Sequence, residues 1–195
     1  MATNPNQIVI AQMARVWLAA VGTPAPAGPV GVMPAPWREA GLFTPDSLSF
    51  STDPSFEQVD SHQSPYPTRR FQTADAASMS VDLQEWSGEN FKAVFGGGVI
   101  ETIAATTGPP AIPEHYRYSP PAIGGRSEIA AVIEIVDGLK HYRRVIPRAM
   151  QTEGVEQGFA RTSESTLPLR LSVLGSDIGE AWYDLTDDDA FEPAA

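Results

Sequence analysis

Residues 128–146 read Glu-Ile-Ala-Ala-Val-Ile-Glu-Ile-Val-Asp-Gly-Leu-Lys-His-Tyr-Arg-Arg-Val-Ile. Two apolar-rich runs flank Asp137-Gly138, and such a pair supplies the positive φ angles of a tight turn, so the stretch predicts a β-hairpin. Downstream, Leu167, Leu169, Leu171 and Val173 alternate with Thr166, Pro168, Arg170 and Ser172. Upstream, Met79, Val81 and Leu83 alternate with Ser78, Ser80, Asp82 and Gln84. Period-two alternation is the mark of a strand with one face buried. Shorter strands are predicted at 16–21, 48–52, 69–73, 99–103, 115–118 and 182–185.

One helix stands out. Ser87 can cap residues 88–95, where Phe91, Val94 and Phe95 fall at i, i+3 and i+4 and Gly96-Gly97-Gly98 marks the end. Many short strands with a single helix predict a mainly β fold, a β-sandwich or barrel with one flanking α-helix and long loops. The expected organisation is an N-terminal arm at 1–15, one domain at 16–186 and an acidic C-terminal tail at 187–195. Long loops are expected at 22–36 and at 53–68, where prolines interrupt any ladder. A connection as long as the second is uncommon without a function.

The chain has 195 residues, no cysteine, 16 Gly and 18 Pro; 13 Lys and Arg against 24 Asp and Glu leave a net charge of −11. This length supports a hydrophobic core without disulfides or a structural metal. The acidic balance argues against a nucleic-acid-binding surface, which needs clustered cations to displace phosphate counterions. The apolar stretch at 8–20 lacks preceding basic residues and is broken by Gln12 and Arg15, so neither a signal peptide nor a membrane segment is expected.

Few residues suggest chemistry. His62, His115 and His141 have no partner at metal-ligand spacing, no G-x-S-x-G elbow occurs, and Gly96-Gly97-Gly98 follows a helix instead of opening one. Asp187-Asp188-Asp189 lacks the glycine and terminal glutamate of a calcium loop and reads as a charged tail. The expectation is therefore no catalytic residue, no metal and no cofactor. Lys140, His141, Arg143, Arg144 and Arg148 concentrate positive charge in one hairpin strand. Because they alternate between its faces, ion pairs within the sheet or with a neighbouring subunit are favoured over a nucleic-acid patch.

Several strings, taken in order, resemble the major tail tube proteins of long flexible-tailed bacteriophages, particularly those of actinobacteria. They are Pro36-Trp37-Arg38-Glu39-Ala40-Gly41, Leu48-Ser49-Phe50-Ser51, residues 91–98 (FKAVFGGG), Tyr116-Arg117-Tyr118-Ser119-Pro120, the hairpin leading to Ile146-Pro147-Arg148-Ala149, and Thr186-Asp187-Asp188-Asp189-Ala190-Phe191. The resemblance implies a non-enzymatic virion protein, assembled from the host cytoplasm. Its copies would form hexameric rings, stacked into a tube through which DNA passes without specific binding. The partners implied are other copies and the tape measure, tail terminator and tail tip proteins.

A polar, acidic bore would let phosphates slide, whereas a basic one would hold them. On that basis Ser80, Asp82, Gln84, Glu128, Glu134 and Ser172 are candidates for the bore. Asp53, Phe56, Tyr66, Arg143, Arg144 and Arg148 are candidates for contacts between subunits or rings. Two alternatives fit a β-sandwich: a tail terminator or head-tail joining protein, forming a single ring, and a carbohydrate-binding module using Tyr116 and Tyr118.

Overall fold

The computed structural model describes residues 7–177 and 179–193. Ten strands and one α-helix follow in chain order among these residues: β1 Met13–Ala20, β2 Arg38–Glu39, β3 Ser49–Val59, β4 Arg69–Leu83, α1 Gly88–Phe95, β5 Val99–Ile103, β6 His115–Ser119, β7 Glu128–Asp137, β8 Lys140–Gln151, β9 Leu167–Val173 and β10 Tyr183–Thr186. The main sheet is antiparallel, in the order β2-β1-β7-β8-β9-β4-β3, with β10 on β8. β5 and β6 form a separate two-stranded sheet. The mainly β expectation is met. The barrel is not, because the sheet ends on β2 and β3 instead of closing.

The long strand β8 explains how one sheet makes two layers. Its first half pairs with β10 through Tyr142 to Val145, and its end pairs with β9 through Ala149 to Gln151. Between them the register with β7 shifts, so that Pro147 and Arg148 together oppose Ala130. A bulge of this kind bends its strand. The β1–β7 part therefore folds over the β4–β9 part, and Val16, Leu18, Ala131 and Ile133 share one core with Met79, Val81, Leu83, Leu167, Leu169 and Leu171. Each of the valine, leucine, isoleucine and methionine side chains taken fully out of water stabilises the fold by roughly 1.5–3 kcal/mol.

Residues 128–136 show no polar alternation because β7 is buried on both faces. Ala130 and Val132 point away from the main core into a second cluster with Met33, Trp37 and Val145. Part of the 22–36 segment, irregular as expected, supplies that cover. The hairpin forms as predicted but its turn is displaced by one residue. Asp137 pairs with Lys140, leaving Gly138 and the exposed Leu139 as the turn, and Gly138 alone has positive φ, +61°. Glycine first in a two-residue loop is the type II′ pattern.

Helix α1 has the predicted bounds: Ser87 accepts from the Asn90 N–H, and Gly96 closes the helix at φ +75°. The buried Asn90 joins three segments. Its amide donates to the Ala40 and Glu85 carbonyls, and its Oδ1 accepts from Arg38.

Three expectations about segments change. First, residues 53–59 are strand, not loop. The short strands expected at 48–52, 69–73 and 78–84 merge into one β3–β4 hairpin whose connection spans only 60–68. Pro54 is accommodated because β3 is an edge strand, where a missing ladder donor is tolerated. Second, residues 13–15 of the expected arm belong to β1; residues 1–6 lie outside those described. Third, the acidic tail is docked. Asp187 accepts from the His141 backbone N–H and lies against its ring, Asp188 accepts from Lys140 and Tyr142, and Asp189–Phe191 form a 3-10 turn; residues 194–195 lie outside those described.

Candidate assembly surfaces

The β3–β4 hairpin leaves the body near Thr52 and Ala77. From there to its tip, residues 53–59 and 69–76 are exposed throughout, so neither face of this two-stranded arm is covered by the described residues. Seven residues at ~3.3 Å each carry it roughly 23 Å. A two-stranded ribbon is at best marginally stable in water, yet this one displays Phe56, Val59 and Phe71, with Tyr66 in its connection 77% exposed. The register, interrupted by a bulge at Ser55/Phe56, places Phe56 across from Gln72 and Gln58 across from Arg70 on one face, and Glu57 across from Phe71 on the other. Three expected contact residues, Asp53, Phe56 and Tyr66, thus lie on the arm. Arg69, Arg70 and Phe71, at the start of the strand expected at 69–73, join them.

β3 also forms one end of the sheet, so its outer edge of eleven residues has no partner strand among the described residues. The opposite end is the two-residue β2. An exposed edge of that length is a template for pairing with another chain.

The outward face of the β3–β4–β9 layer is polar. Residues paired across antiparallel strands point to the same side, and the register aligns Ser51, Ser78, Ser172, Met150 and Glu128 in one row. Ser49, Ser80 and Arg170 form the next. The hydroxyls satisfy one another, with Ser49 to Ser80 at 2.7 Å and Ser51 to Ser78 at 2.9 Å. Arg170 meets Asp82 at 2.6 Å, and Gln84 donates to Glu164 at 3.3 Å. This surface gathers Ser80, Asp82, Gln84 and Ser172, with Glu128 at its margin. Ser49, Ser51 and Ser78 complete it, and their sequence alternation with Phe50 and Met79 was the available signal.

Glu134 does not join them. It is 7% exposed, and Arg143, 2% exposed, donates to it at 2.6 and 2.9 Å. Trp17 Nε1 donates to the same carboxylate at 3.3 Å, while Arg143 also donates to the Gly28, Val30 and Gly31 carbonyls. Glu134 and Arg143 are therefore withdrawn from the bore and contact sets respectively: the 22–36 segment covers this face, and the pair pins that segment to the sheet.

The other cations of β8 are also matched within the chain. Arg144 grips Asp184 with two bonds of 2.7 and 2.8 Å and lies over the Phe50 and Trp182 rings. Arg148 binds Glu128 at 2.6 and 2.8 Å, and that hydrogen-bonded pairing holds the Glu128 carboxyl below its ordinary range. Arg144 and Arg148 thus reach acids of their own sheet, the first of the two pairings weighed from the sequence. Tyr118 packs against Phe91 and Phe95 and donates to the Gly97 carbonyl, so only Tyr116, 70% exposed, remains of the supposed sugar platform.

Among the described residues no group of three or more His, Asp or Glu is placed to hold a metal, and no helix is long and apolar enough to cross a membrane. The prominent features are an unpaired edge, a projecting arm and a self-satisfied polar face. They describe a β-sheet structural subunit. The phage tail tube protein family model matches residues 1–195, and the chain belongs to that family. It is a structural component of a phage tail. No curated protein matches the chain significantly.

Proposed function

We propose that copies of this chain close into hexameric rings, and that the rings stack into the hollow tube through which the genome leaves. The observation that carries this reading is the β3–β4 arm, ordered as paired strands yet uncovered on both faces. Such an element gains its burial from another copy. The β3 edge supplies the lateral contact, since pairing with the next subunit removes an edge that a monomer would have to protect.

The polar face suits the bore. Ser80, Asp82, Gln84 and Ser172 offer hydroxyls, an amide and one carboxylate, with Glu128 at the border. Its cation, Arg170, is already paired with Asp82. Phosphates passing such a surface find no unneutralised cation to hold them. The tape measure, terminator and tip proteins are the other partners this reading assigns, with assembly from the host cytoplasm into the virion.

Electron microscopy of purified protein tests it. The full chain is expected to form long tubes, whereas a variant with residues 54–74 replaced by a short turn should give folded monomers or rings that do not stack. Tubes formed without the arm would refute its role, and lone rings from the full chain would identify a terminator-like protein instead.

A further inference from the structure

A cavity of about 420 Å³ lies between helix α1 and the adjoining ends of β1 and β7. Leu18, Ala19, Ala20, Ala93 and Ile129 give it small apolar walls, and its charged lining is Arg38, Glu89, Lys92 and Glu128. Lys92 meets Glu89 at 2.9 Å, and Arg148 meets Glu128 at 2.6 Å. Arg38 is then the one lining charge with no opposite charge within salt-bridge distance among the described residues. We propose that this cavity binds an organic monocarboxylate with a short apolar body, its acid group held by Arg38. Such a site is independent of the tube reading.

Hydrogen bonding decides the class of ligand. The carbonyls at the end of α1 are already taken: Lys92 accepts from the Gly97 N–H, Ala93 from that of Gly96, Gly96 from that of Ser127, and Gly97 from the Tyr118 hydroxyl. Donors remain in excess. Arg38 uses one N–H on Asn90 Oδ1 at 2.8 Å and one on the Glu89 carbonyl at 3.0 Å, which leaves part of its fork without an acceptor among the described residues. The partner that fits is therefore an acceptor, and the unmatched positive charge makes it an anion. A carboxylate suits the planar guanidinium, while the apolar walls suit a hydrocarbon body that a bare inorganic anion lacks.

The guanidinium is also held in place before any ligand arrives. Asn90, 1% exposed, accepts from Arg38 while its amide is fixed by the Ala40 and Glu85 carbonyls. Burial pulls the Arg38 guanidinium below its ordinary value and Glu89 opposes this only in part, as for a cation short of compensating charge. A bound carboxylate supplies that charge. Since Arg38 stands in β2 opposite Leu18 of β1 and bonds to α1, an occupied cavity braces the end strand of the sheet against the helix.

Sodium hexanoate is the probe, with sodium chloride and hexanol as controls that lack the hydrocarbon or the charge. NMR titration of the isotope-labelled full chain is expected to show saturable shifts of the Arg38 Nε–H and of the Ala93 and Gly98 amides with hexanoate and with neither control. Arg38→Gln should weaken binding about tenfold or more, the loss expected for one hydrogen bond to a charged group. Because Arg38 also ties β2 to α1, a second variant leaves it untouched. Ala20→Phe, at an exposed position of the wall, fills the cavity with every charge kept and should abolish binding at an unchanged thermal midpoint.

An N-acetylated dipeptide ending in leucine separates two sources of the same chemistry. Binding of hexanoate alone identifies a free acid, and tighter binding of the dipeptide identifies a polypeptide C-terminus; either result supports the site. Shifts matched by sodium chloride would reduce it to a screened surface charge, and shifts matched by hexanol to an apolar crevice. Shifts retained in both variants would put the ligand elsewhere. Each of these overturns the assignment, as does a titration with no saturable shift.

Discussion

Replacing Arg143 with alanine strands the Glu134 carboxylate beneath the 22–36 segment. Both partners are nearly inaccessible, at 2% and 7% exposure, and removing one member of a buried ion pair typically costs about 3–5 kcal/mol. Two features place this case near the lower figure. Trp17 still donates to Glu134, and Arg15, 44% exposed, lies 3.8 Å from it. The carbonyls of Gly28, Val30 and Gly31 lose their donor but sit in a surface segment where water can replace it. For a chain of this length, a loss of ~3 kcal/mol corresponds to a fall of roughly 6–12 °C in Tm, at ~2–4 °C per kcal/mol.

Urea unfolding and limited proteolysis would read the two consequences separately, global stability and release of residues 22–31. Arg143→Met combined with Glu134→Leu removes both charges, and its stability should return to within about 1 kcal/mol of the parent, while the segment stays more sensitive to protease. If Arg143→Ala alone lies within about 1 kcal/mol of the parent, the pair does not anchor this face.

Two further outcomes follow from the docked C-terminal segment and the polar face. Hydrogen bonds from Lys140 and Tyr142 hold Asp188 at about 2, and the bond to Asp188 pushes Tyr142 up to about 12. A depressed carboxyl contributes stability above its unfolded value, near 3.9, and loses it as pH falls towards 2. A raised phenol contributes below about 10 and loses it as pH climbs through 12. NMR titration should therefore show the Ala190 amide, which donates to Asp188, shifting with a midpoint near pH 2; a midpoint near 4 would refute the coupling. On the polar face, Asp82→Lys turns a neutralised Arg170 into one of two free cations and is expected to slow genome ejection from tails of normal length, with Asp82→Asn intermediate; unchanged ejection kinetics would exclude Asp82 from the bore.

Much of the body of the fold was legible because strands such as β4 and β9 keep one face towards water, while Asp137-Gly138 marked the hairpin of the doubly buried β7. Alternation in residues 78–84 and 166–173 identified β4 and β9, and Ser87 with Gly96 bounded the helix. Of the arm only residues 69–73 were legible as strand, and the rest was not, for the same physical reason. Residues 53–59 and 69–76 have no face buried among the described residues, so nothing imposes alternation on them, and Pro54 and the Ala74-Asp75-Ala76-Ala77 run oppose strand propensity. Glu134 and Arg143 were misplaced because position in a strand gives the face but not what covers it. The cover comes from residues more than a hundred positions away, as the Arg143 bonds to Gly28 and Val30 show.

A stacked tube needs contacts in two independent directions, and one kind of sheet edge supplies only one. Here the ends of the sheet are unlike, a two-residue β2 against an eleven-residue β3. Two copies meeting through them would do so head-to-tail and not as a two-fold pair, and a head-to-tail contact whose rotation closes makes a ring. In the proposed tube the strand that offers this edge continues past the body as the arm, so both directions draw on one element. The two contacts would then be coupled, because a neighbour that orders β3 along the body also stiffens the base of the arm. Rings should consequently stack more readily than monomers add singly. Ordering two strands costs on the order of 1–2 kcal/mol per residue in backbone entropy, and that cost falls once the ring has fixed the first half of the hairpin.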